Sequence, residues 1–423
     1  MGEYHIVGNY KMNGEINVHG AKNAILPILA GTILVDSEVV IENSPKINDT
    51  LIALEMLRRL GSDLSFSKNT LKINNSTLIS NAIDEELVSQ MRSSIIFLGA
   101  LIGRFKECQI GFPGGCELGA RPIDLHLKGL KALGVYITEK HGVIYAKTKK
   151  LKGAKIILDF PSVGATENIM LAAVYAEGET IIYNAAREPE IVDLQNFLNC
   201  QGAKIRGAGT DKIVIEGVDK LYGKPYKIMS DRIVAGTYLV AGAITGGDII
   251  LKDVDLPSIK QISYKLEESG CIIKEYEEDN IISLKAPERL RAIEKLTTLP
   301  YPGFPTDMQS QMMTLMTVAE GTSILVETIF ESRNKHINEL VKLGAKITLS
   351  NDGMTSIIKG VDRLNGTVVY SKDLRGGAAL VLAGLVATGN TVVKNSIFID
   401  RGYEDIARDL SLLGCKIKKA EDY

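Results

Sequence analysis

Tryptophan is absent from this chain of 423 residues, and cysteine is scarce at five. The cysteines show no paired spacing, which argues against a disulfide framework and a cysteine-built zinc site. No two histidines have metal-ligand spacing, so neither metal nor cofactor is expected. Charge of one sign is not in excess. A formal net charge of −2 provides no global basic field for nucleic acid. No apolar run approaches the length of a membrane span. Residues 95–102 are among the longest and stop at Gly103-Arg104. The opening Met-Gly-Glu-Tyr-His-Ile lacks a basic region followed by an apolar core, so no signal peptide is expected and the cytoplasm is the expected location. There is no Gly-x-x-x-x-Gly-Lys-Ser/Thr loop and no Gly-x-Gly-x-x-Gly after a strand, which leaves ATP and dinucleotide readings without support.

The chain does have repetition. Its length favours two or three domains, and 45% hydrophobic residues is ordinary for a globular protein. Leu-Gly or a similar pair closes a helix and precedes a strand at Gly61, Gly134, Gly202, Gly270, Gly344 and Gly414. These glycines lie about 70 residues apart, a period that marks a repeated unit. Each copy opens with an apolar helix, expected over residues 23–34 and 378–387 in the first and last copies. A short strand follows, as at 38–42 or 391–394. A more charged, amphipathic helix comes next, as at 49–60 or 334–343, and further strands close the unit. A helix that is apolar all round is buried on most faces. Each unit therefore reads β-α-β-α-β-β, with the apolar helices central and the sheets outside.

The ends of the chain bear on closure. Ile-Val-Gly-Asn-Tyr-Lys-Met-Asn-Gly at 6–14 resembles the stretches at 215–223 and 358–366. The sixth unit runs out of chain before such closing strands, and the first 20 residues are placed to supply them. The expected partition is one domain over 21–229 with units one to three, and another over 1–20 plus 230–423 with units four to six. An open solenoid of six stacked units is the alternative, and the missing C-terminal strands argue for closure.

Residues 111–122, Gly-Phe-Pro-Gly-Gly-Cys-Glu-Leu-Gly-Ala-Arg-Pro, read as a mobile glycine-rich lid carrying a reactive group. A thiol near fixed positive charge shifts toward thiolate, and Cys116 has Arg121 nearby and His126 just beyond. The competing reading is a strand-to-helix turn with a half-buried cysteine. First-helix starts carry Lys22-Asn23, Arg92, Arg232, Asp307 and Arg375. Second-helix starts carry Lys46, Arg121, Arg187, Arg333 and Arg401. Cations at helix N-termini oppose the helix dipole, and they make sense there if an anion sits between. Asp307, after Pro-Gly-Phe-Pro, is either a helix cap or a carboxylate that orients or deprotonates a hydroxyl. Asn23 is likewise a cap or a ligand to substrate. Arg187 has Glu188 or Glu190 as candidate partners, and those two acids read as structural.

Several ordered blocks resemble the UDP-N-acetylglucosamine enolpyruvyl transferase (MurA) family. They are Gly20-Ala21-Lys22-Asn23-Ala24, Pro113-Gly114-Gly115-Cys116, residues 119–126, residues 186–193, Phe304-Pro305-Thr306-Asp307, Asp373-Leu374-Arg375 and residues 400–404. The resemblance runs from end to end. It implies a two-domain inside-out α/β barrel of six repeats, three per domain, around a cleft that closes on substrate. It implies transfer of the enolpyruvyl group of phosphoenolpyruvate to the 3-hydroxyl of UDP-N-acetylglucosamine with release of phosphate, the first committed step toward peptidoglycan. By resemblance, Lys22, Arg121 and Arg401 hold phosphoenolpyruvate, with Arg92 assisting. Cys116 acts at the lid as proton donor or covalent partner, and is the residue that fosfomycin alkylates in the family. Asn23 and Asp307 contact the sugar, with Asp307 nearest the attacking hydroxyl. Arg121, Pro122, Ile123, Asp124 and Leu125, with Ser162, Val163 and Gly164, line the uridine and diphosphate pocket. Ile329, Arg333 and Arg375 come from the other domain.

Two departures bear on ligand affinity: many relatives carry lysine where Asn48 stands, and some where Phe160 stands. The shikimate-pathway enolpyruvyl transferase is an alternative, but it would begin Gly-Asp-Lys-Ser in place of residues 20–23 and lacks the cysteine lid. A non-catalytic UDP-sugar-binding paralogue would have lost Cys116, Asp307 or Arg401, and all three are present.

Overall fold

The computed structural model describes residues 2–114 and 123–420. These form six four-stranded sheets and one short two-stranded pairing. The 155–216 repeat shows the common pattern. Lys155–Ile157 runs parallel to Glu179–Tyr183, Lys212–Glu216 pairs antiparallel with the latter, and Lys204–Arg206 forms the edge. Parallel neighbours need a crossover, and the central helix Val163–Ala173 supplies it.

The chain divides into two compact units, one with residues 20–114 and 123–229, the other with residues 2–19 and 230–420. In the first, the central helices Lys22–Thr32, Phe97–Phe105 and Val163–Ala173 touch one another; in the second, Arg232–Ile244, Gln309–Val318 and Leu374–Val386 do. Every residue of Arg232–Ile244 is buried, as its lack of a polar stripe requires. Small residues set how closely such helices approach. A Cβ at Gly99 would lie 2.1 Å from the Asn168 carbonyl oxygen of the neighbouring helix, so only glycine fits there. The six periodic glycines have φ between 89° and 109°, the left-handed region that glycine enters without strain.

The chain ends cross-connect the repeats. Glu3–Val7 lies between Asn390–Lys394 and Lys416–Ala420, antiparallel to both. Asn13–Asn17 pairs parallel with Asp248–Lys252, and Tyr226–Lys227 pairs parallel with Glu38–Glu42. The sixth repeat thus keeps one closing strand of its own and borrows only the other, where the sequence reading had it lacking both.

Helix boundaries also shift. The helix expected over 378–387 begins at Leu374, because the Asp373 side chain accepts from the Arg375 and Gly376 N–H groups and caps it. The stretch expected as one helix over 334–343 splits into a 3₁₀ turn, Arg333–His336, and a helix, Ile337–Lys342. A short helix, Glu85–Gln90, and a 3₁₀ turn, Arg92–Ile96, precede the second central helix; the repeat pattern did not anticipate them. Among the described residues no helix is long and apolar enough to cross a membrane. Among them, too, no group of His, Cys, Asp and Glu is arranged to hold a metal ion.

Candidate active site

In the 230–420 unit the charged residues gather where the central helices begin. Asp307 lies in the 3₁₀ turn Thr306–Met308, just before Gln309–Val318. Its carboxylate caps no helix. Oδ1 accepts from Arg333 Nη2 at 2.5 Å and Oδ2 from Arg375 Nη2 at 2.9 Å. The two guanidinium side chains are 1% and 2% exposed, and the Asp307 side chain 27%. The cluster therefore opens to solvent through its carboxylate. Burial alone would raise the Asp307 carboxyl, but the charges of Arg375 and Arg333 outweigh it and hold the group well below the usual carboxylate range. Each oxygen retains a second lone pair. The arrangement can accept a hydrogen bond from a neutral hydroxyl and fix its direction, while the low basicity delays proton transfer until the hydroxyl is itself acidified.

A residue absent from the sequence reading supports this cluster. Glu327, fully buried, accepts from the Ile329 and Phe330 N–H groups at 2.8 and 3.1 Å and from Thr306 Oγ1 at 3.0 Å. It thereby ties the turn of Asp307 to the loop that carries Ile329. Arg333 stacks over Phe330 at 5.3 Å and donates from Nε to the Thr306 carbonyl at 3.1 Å. The only sequence signal was an acid at a strand end, which is common. Arg375 also feels Tyr403 and Asp231, and Tyr403 shares a hydrogen bond with Thr237 at 2.9 Å. Arg232 lies over the Tyr301 ring at 5.7 Å.

Arg401 ends a 3₁₀ turn, Ser396–Arg401, and does not begin a helix. That turn is pinned by Asp400, which accepts from Tyr4 Oη at 2.7 Å and Ser396 Oγ at 3.2 Å and pairs with Lys419 at 3.0 Å. The C-terminal ends of the three central helices border a separate cleft of about 710 Å³, lined by residues such as Lys11, Arg289 and Arg363 and by none of the candidate site residues.

In the 20–229 unit, Lys22 and Asn23 are the first residues of Lys22–Thr32, whose capping position is Ala21 with no side-chain bond. Asn23 is therefore not the cap. Lys22 pairs with the buried Asp49 at 3.1 Å. Arg92 opens the 3₁₀ turn before the second central helix and reaches the Gly114 carbonyl at 3.5 Å. Ile123 precedes the helix Asp124–Ala132, where Asp124 is exposed and Leu125 half-buried. Ser162 caps the third central helix by accepting from Ala165 N–H at 3.3 Å, so the helix starts at Val163. Arg187 reaches Asp211 at 3.9 Å on the surface. Asn48 begins the helix Asn48–Leu60, and Phe160 is 48% exposed. Cys116, Arg121 and Pro122 lie outside the described residues.

Two further observations concern titratable groups. Glu167 on the third central helix is buried, and burial with the nearby Glu190 and Glu188 raises its carboxyl well above the ordinary value. Burial raises the thiols of Cys108, Cys271 and Cys415. Cys200 is half-buried at a helix end, with Sγ 3.7 Å from the Pro225 carbonyl.

Residues 6–410 match the EPSP synthase (3-phosphoshikimate 1-carboxyvinyltransferase) family. The chain is 50% identical over 417 residues to UDP-N-acetylglucosamine 1-carboxyvinyltransferase 2 of Caldanaerobacter subterraneus subsp. tengcongensis, covering 99% of each chain. It is 48% identical over 421 residues to the UDP-N-acetylglucosamine 1-carboxyvinyltransferase of Halothermothrix orenii, covering all of both. Among solved structures, the enolpyruvyl transferase NikO from Streptomyces tendae superposes with a TM-score of 0.89 at 22% identity, covering 99% of this chain and 98% of that one. An EPSP synthase from Acinetobacter baumannii superposes with a TM-score of 0.77 at 20% identity, covering all of both chains. At these identities the two structures speak to fold alone.

Proposed function

We infer the reaction from a family relation: the chain belongs to the EPSP synthase family and, within it, to the UDP-N-acetylglucosamine 1-carboxyvinyltransferases. It is a transferase that moves the enolpyruvyl group of phosphoenolpyruvate onto the 3-hydroxyl of UDP-N-acetylglucosamine and releases phosphate, a step of peptidoglycan synthesis. The observation that best supports a working enzyme over a binding-only relative is the Asp307 carboxylate held between Arg333 and Arg375.

In this reading the 3-hydroxyl adds to C2 of phosphoenolpyruvate while C3 gains a proton, giving a tetrahedral adduct. Loss of a proton from C3 and departure of phosphate then regenerate the double bond. Asp307 orients the hydroxyl and takes its proton as the C–O bond forms. Lys22, Arg121 and Arg401 neutralise the phosphate and carboxylate of phosphoenolpyruvate, with Arg92 assisting, through charge-assisted hydrogen bonds. Cys116 supplies or receives a proton at the reacting carbon. Arg121 to Leu125 and Ser162 to Gly164 line the uridine and diphosphate pocket, Asn23 contacts the sugar, Ile329 lies on the loop tied to the turn of Asp307, and Arg333 and Arg375 hold Asp307 itself. Both substrates are anionic phosphates that do not cross membranes unaided, which supports a cytoplasmic location.

The test is phosphate release from phosphoenolpyruvate with UDP-N-acetylglucosamine or shikimate 3-phosphate as acceptor. Release with the sugar nucleotide alone is expected. Release with shikimate 3-phosphate, or none with either despite sugar-nucleotide binding, would overturn the assignment.

A further inference from the structure

Glu327 has no role in the transfer as assigned above, yet its side-chain bonds all run to the two segments around Asp307. It follows directly on the strand Thr322–Val326 and is fully buried. The partners of its carboxyl group, the Ile329 and Phe330 N–H groups and the Thr306 hydroxyl, are all neutral. Taking a carboxyl group out of water costs free energy that neutral hydrogen bonds return only in part. Ending a strand does not by itself call for an acid there.

Behind Glu327 the backbone is firmly anchored. Its own N–H donates to the Met354 carbonyl at 2.9 Å. The next residue, Thr328, is clamped to Thr298 twice, from its N–H to Oγ1 at 3.0 Å and from its own Oγ1 to the carbonyl at 2.6 Å. The carboxyl group therefore projects from a fixed point of the sheet that pairs Lys295–Thr297, Thr322–Val326 and Thr355–Lys359. In front of it lies the turn of Asp307. Thr306 directly precedes Asp307 and is gripped on two sides: Glu327 takes its hydroxyl, and Arg333 Nε donates to its carbonyl. Arg333 in turn lies over the Phe330 ring and donates to Asp307. These links close a circuit from Glu327 through Thr306, Asp307, Arg333 and Phe330 back to Glu327. A group that must meet one hydroxyl works only if its supports hold it to about 0.5 Å, and Glu327 joins this circuit to the sheet.

We propose that Glu327 is a positioning residue for the transfer: it braces Thr306 against the sheet and so holds the Asp307 carboxylate in line with the acceptor hydroxyl. It touches neither substrate and acts through Asp307. The proposal rests on the reading that Asp307 orients and deprotonates the 3-hydroxyl of UDP-N-acetylglucosamine.

The discriminating variant is Thr306→Val, which keeps the shape of threonine and removes the one hydroxyl that joins Glu327 to the turn. Phosphate release at saturating phosphoenolpyruvate and UDP-N-acetylglucosamine should slow about 10- to 100-fold, the effect of a displaced reacting group. KM for phosphoenolpyruvate should not change, because the cations assigned to that substrate lie on other elements. Accordingly kcat and kcat/KM for it should fall together, the mark of an interaction made in the transition state. Thr306→Ser keeps the hydroxyl and should retain most of the turnover. Glu327→Gln should do so too, since its amide oxygen can take the two backbone N–H groups while its NH₂ donates to a rotated Thr306 hydroxyl. Glu327→Ala breaks both links and should lose at least as much as Thr306→Val; should it fail to fold, Thr306→Val carries the test alone. A brace that served stability only would reduce turnover by the same factor whatever stood at position 307. Acting through Asp307, Thr306→Val should instead cost no more than about twofold when added to Asp307→Asn. Equal factors in the two backgrounds, a loss confined to KM, or Thr306→Val turnover within about twofold of wild type would overturn the proposal. No phosphate release by the wild-type chain, or wild-type turnover by Asp307→Asn, would instead refute the reading beneath it.

Discussion

Replacing Asp307 tests chemistry and architecture together, and the structure says how to separate them. Its carboxylate serves two guanidinium groups that are 1% and 2% exposed. Asp307→Ala leaves both as uncompensated buried charges, a defect that costs about 3–5 kcal/mol. At roughly 2–4 °C per kcal/mol for a unit of this size, the melting temperature should fall by about 6–20 °C. Asp307→Asn keeps one oxygen acceptor and the shape but loses the charge, and should cost about 1–3 kcal/mol. Turnover should fall about 10²–10⁴-fold in the folded Asn variant if Asp307 orients and deprotonates the hydroxyl. Arg333 and Arg375 hold the carboxyl well below its usual range. Its ion pairs are therefore present above the unfolded carboxyl value and lost only as pH falls through the lowered native one. Any acid limb in turnover at pH 5–6 should then belong to another group and persist when Asp307 is replaced. Calorimetry and phosphate release at saturating substrates measure both effects. Near-wild-type turnover by Asp307→Asn would refute the chemical role, and an unshifted melting temperature in Asp307→Ala would refute the buried ion cluster.

Arg121→Ala and Arg401→Ala should each weaken handling of phosphoenolpyruvate by about 2–5 kcal/mol, with lysine rescuing only in part because the guanidinium fork is lost; wild-type steady-state kinetics in Arg401→Ala would sink its assignment. Cys116 should be the thiol that fosfomycin alkylates, faster with UDP-N-acetylglucosamine present, while burial holds the Cys271 and Cys415 thiols up at about 11 and about 12. Peptide mass spectrometry should find one adduct there, and labelling at the half-buried Cys200 would count against the lid. Glu167 keeps its proton in the native state above the pH where the unfolded chain releases it, so stability should fall as pH rises between the two values, by about 1.4 kcal/mol per unit. Glu167→Gln should remove that slope and be the more stable protein at pH 7; parallel urea-unfolding profiles from pH 5 to 8 would contradict a buried neutral acid.

The sequence alone determined the repeat, the apolar central helices and the places where charge collects. Those features rest on local physics: a glycine where φ turns positive, a helix with no polar face, a cation at an N-terminus. Lys22, Arg92, Asp307 and Arg375 were legible because each starts, or nearly starts, a central helix. That Asp307 caps no helix emerged only from the tertiary structure, since its partners Arg333 and Arg375 stand 26 and 68 positions away along the chain. Glu327 was illegible because its hydrogen bonds run to backbone groups of its own loop and to a turn 21 residues upstream, and no spacing rule encodes that. The tautomer of His126 depends on Asn168, which is itself oriented by Gly99 and Ile95. An amide tells nothing about its direction until the donors and acceptors on both sides of it are in place.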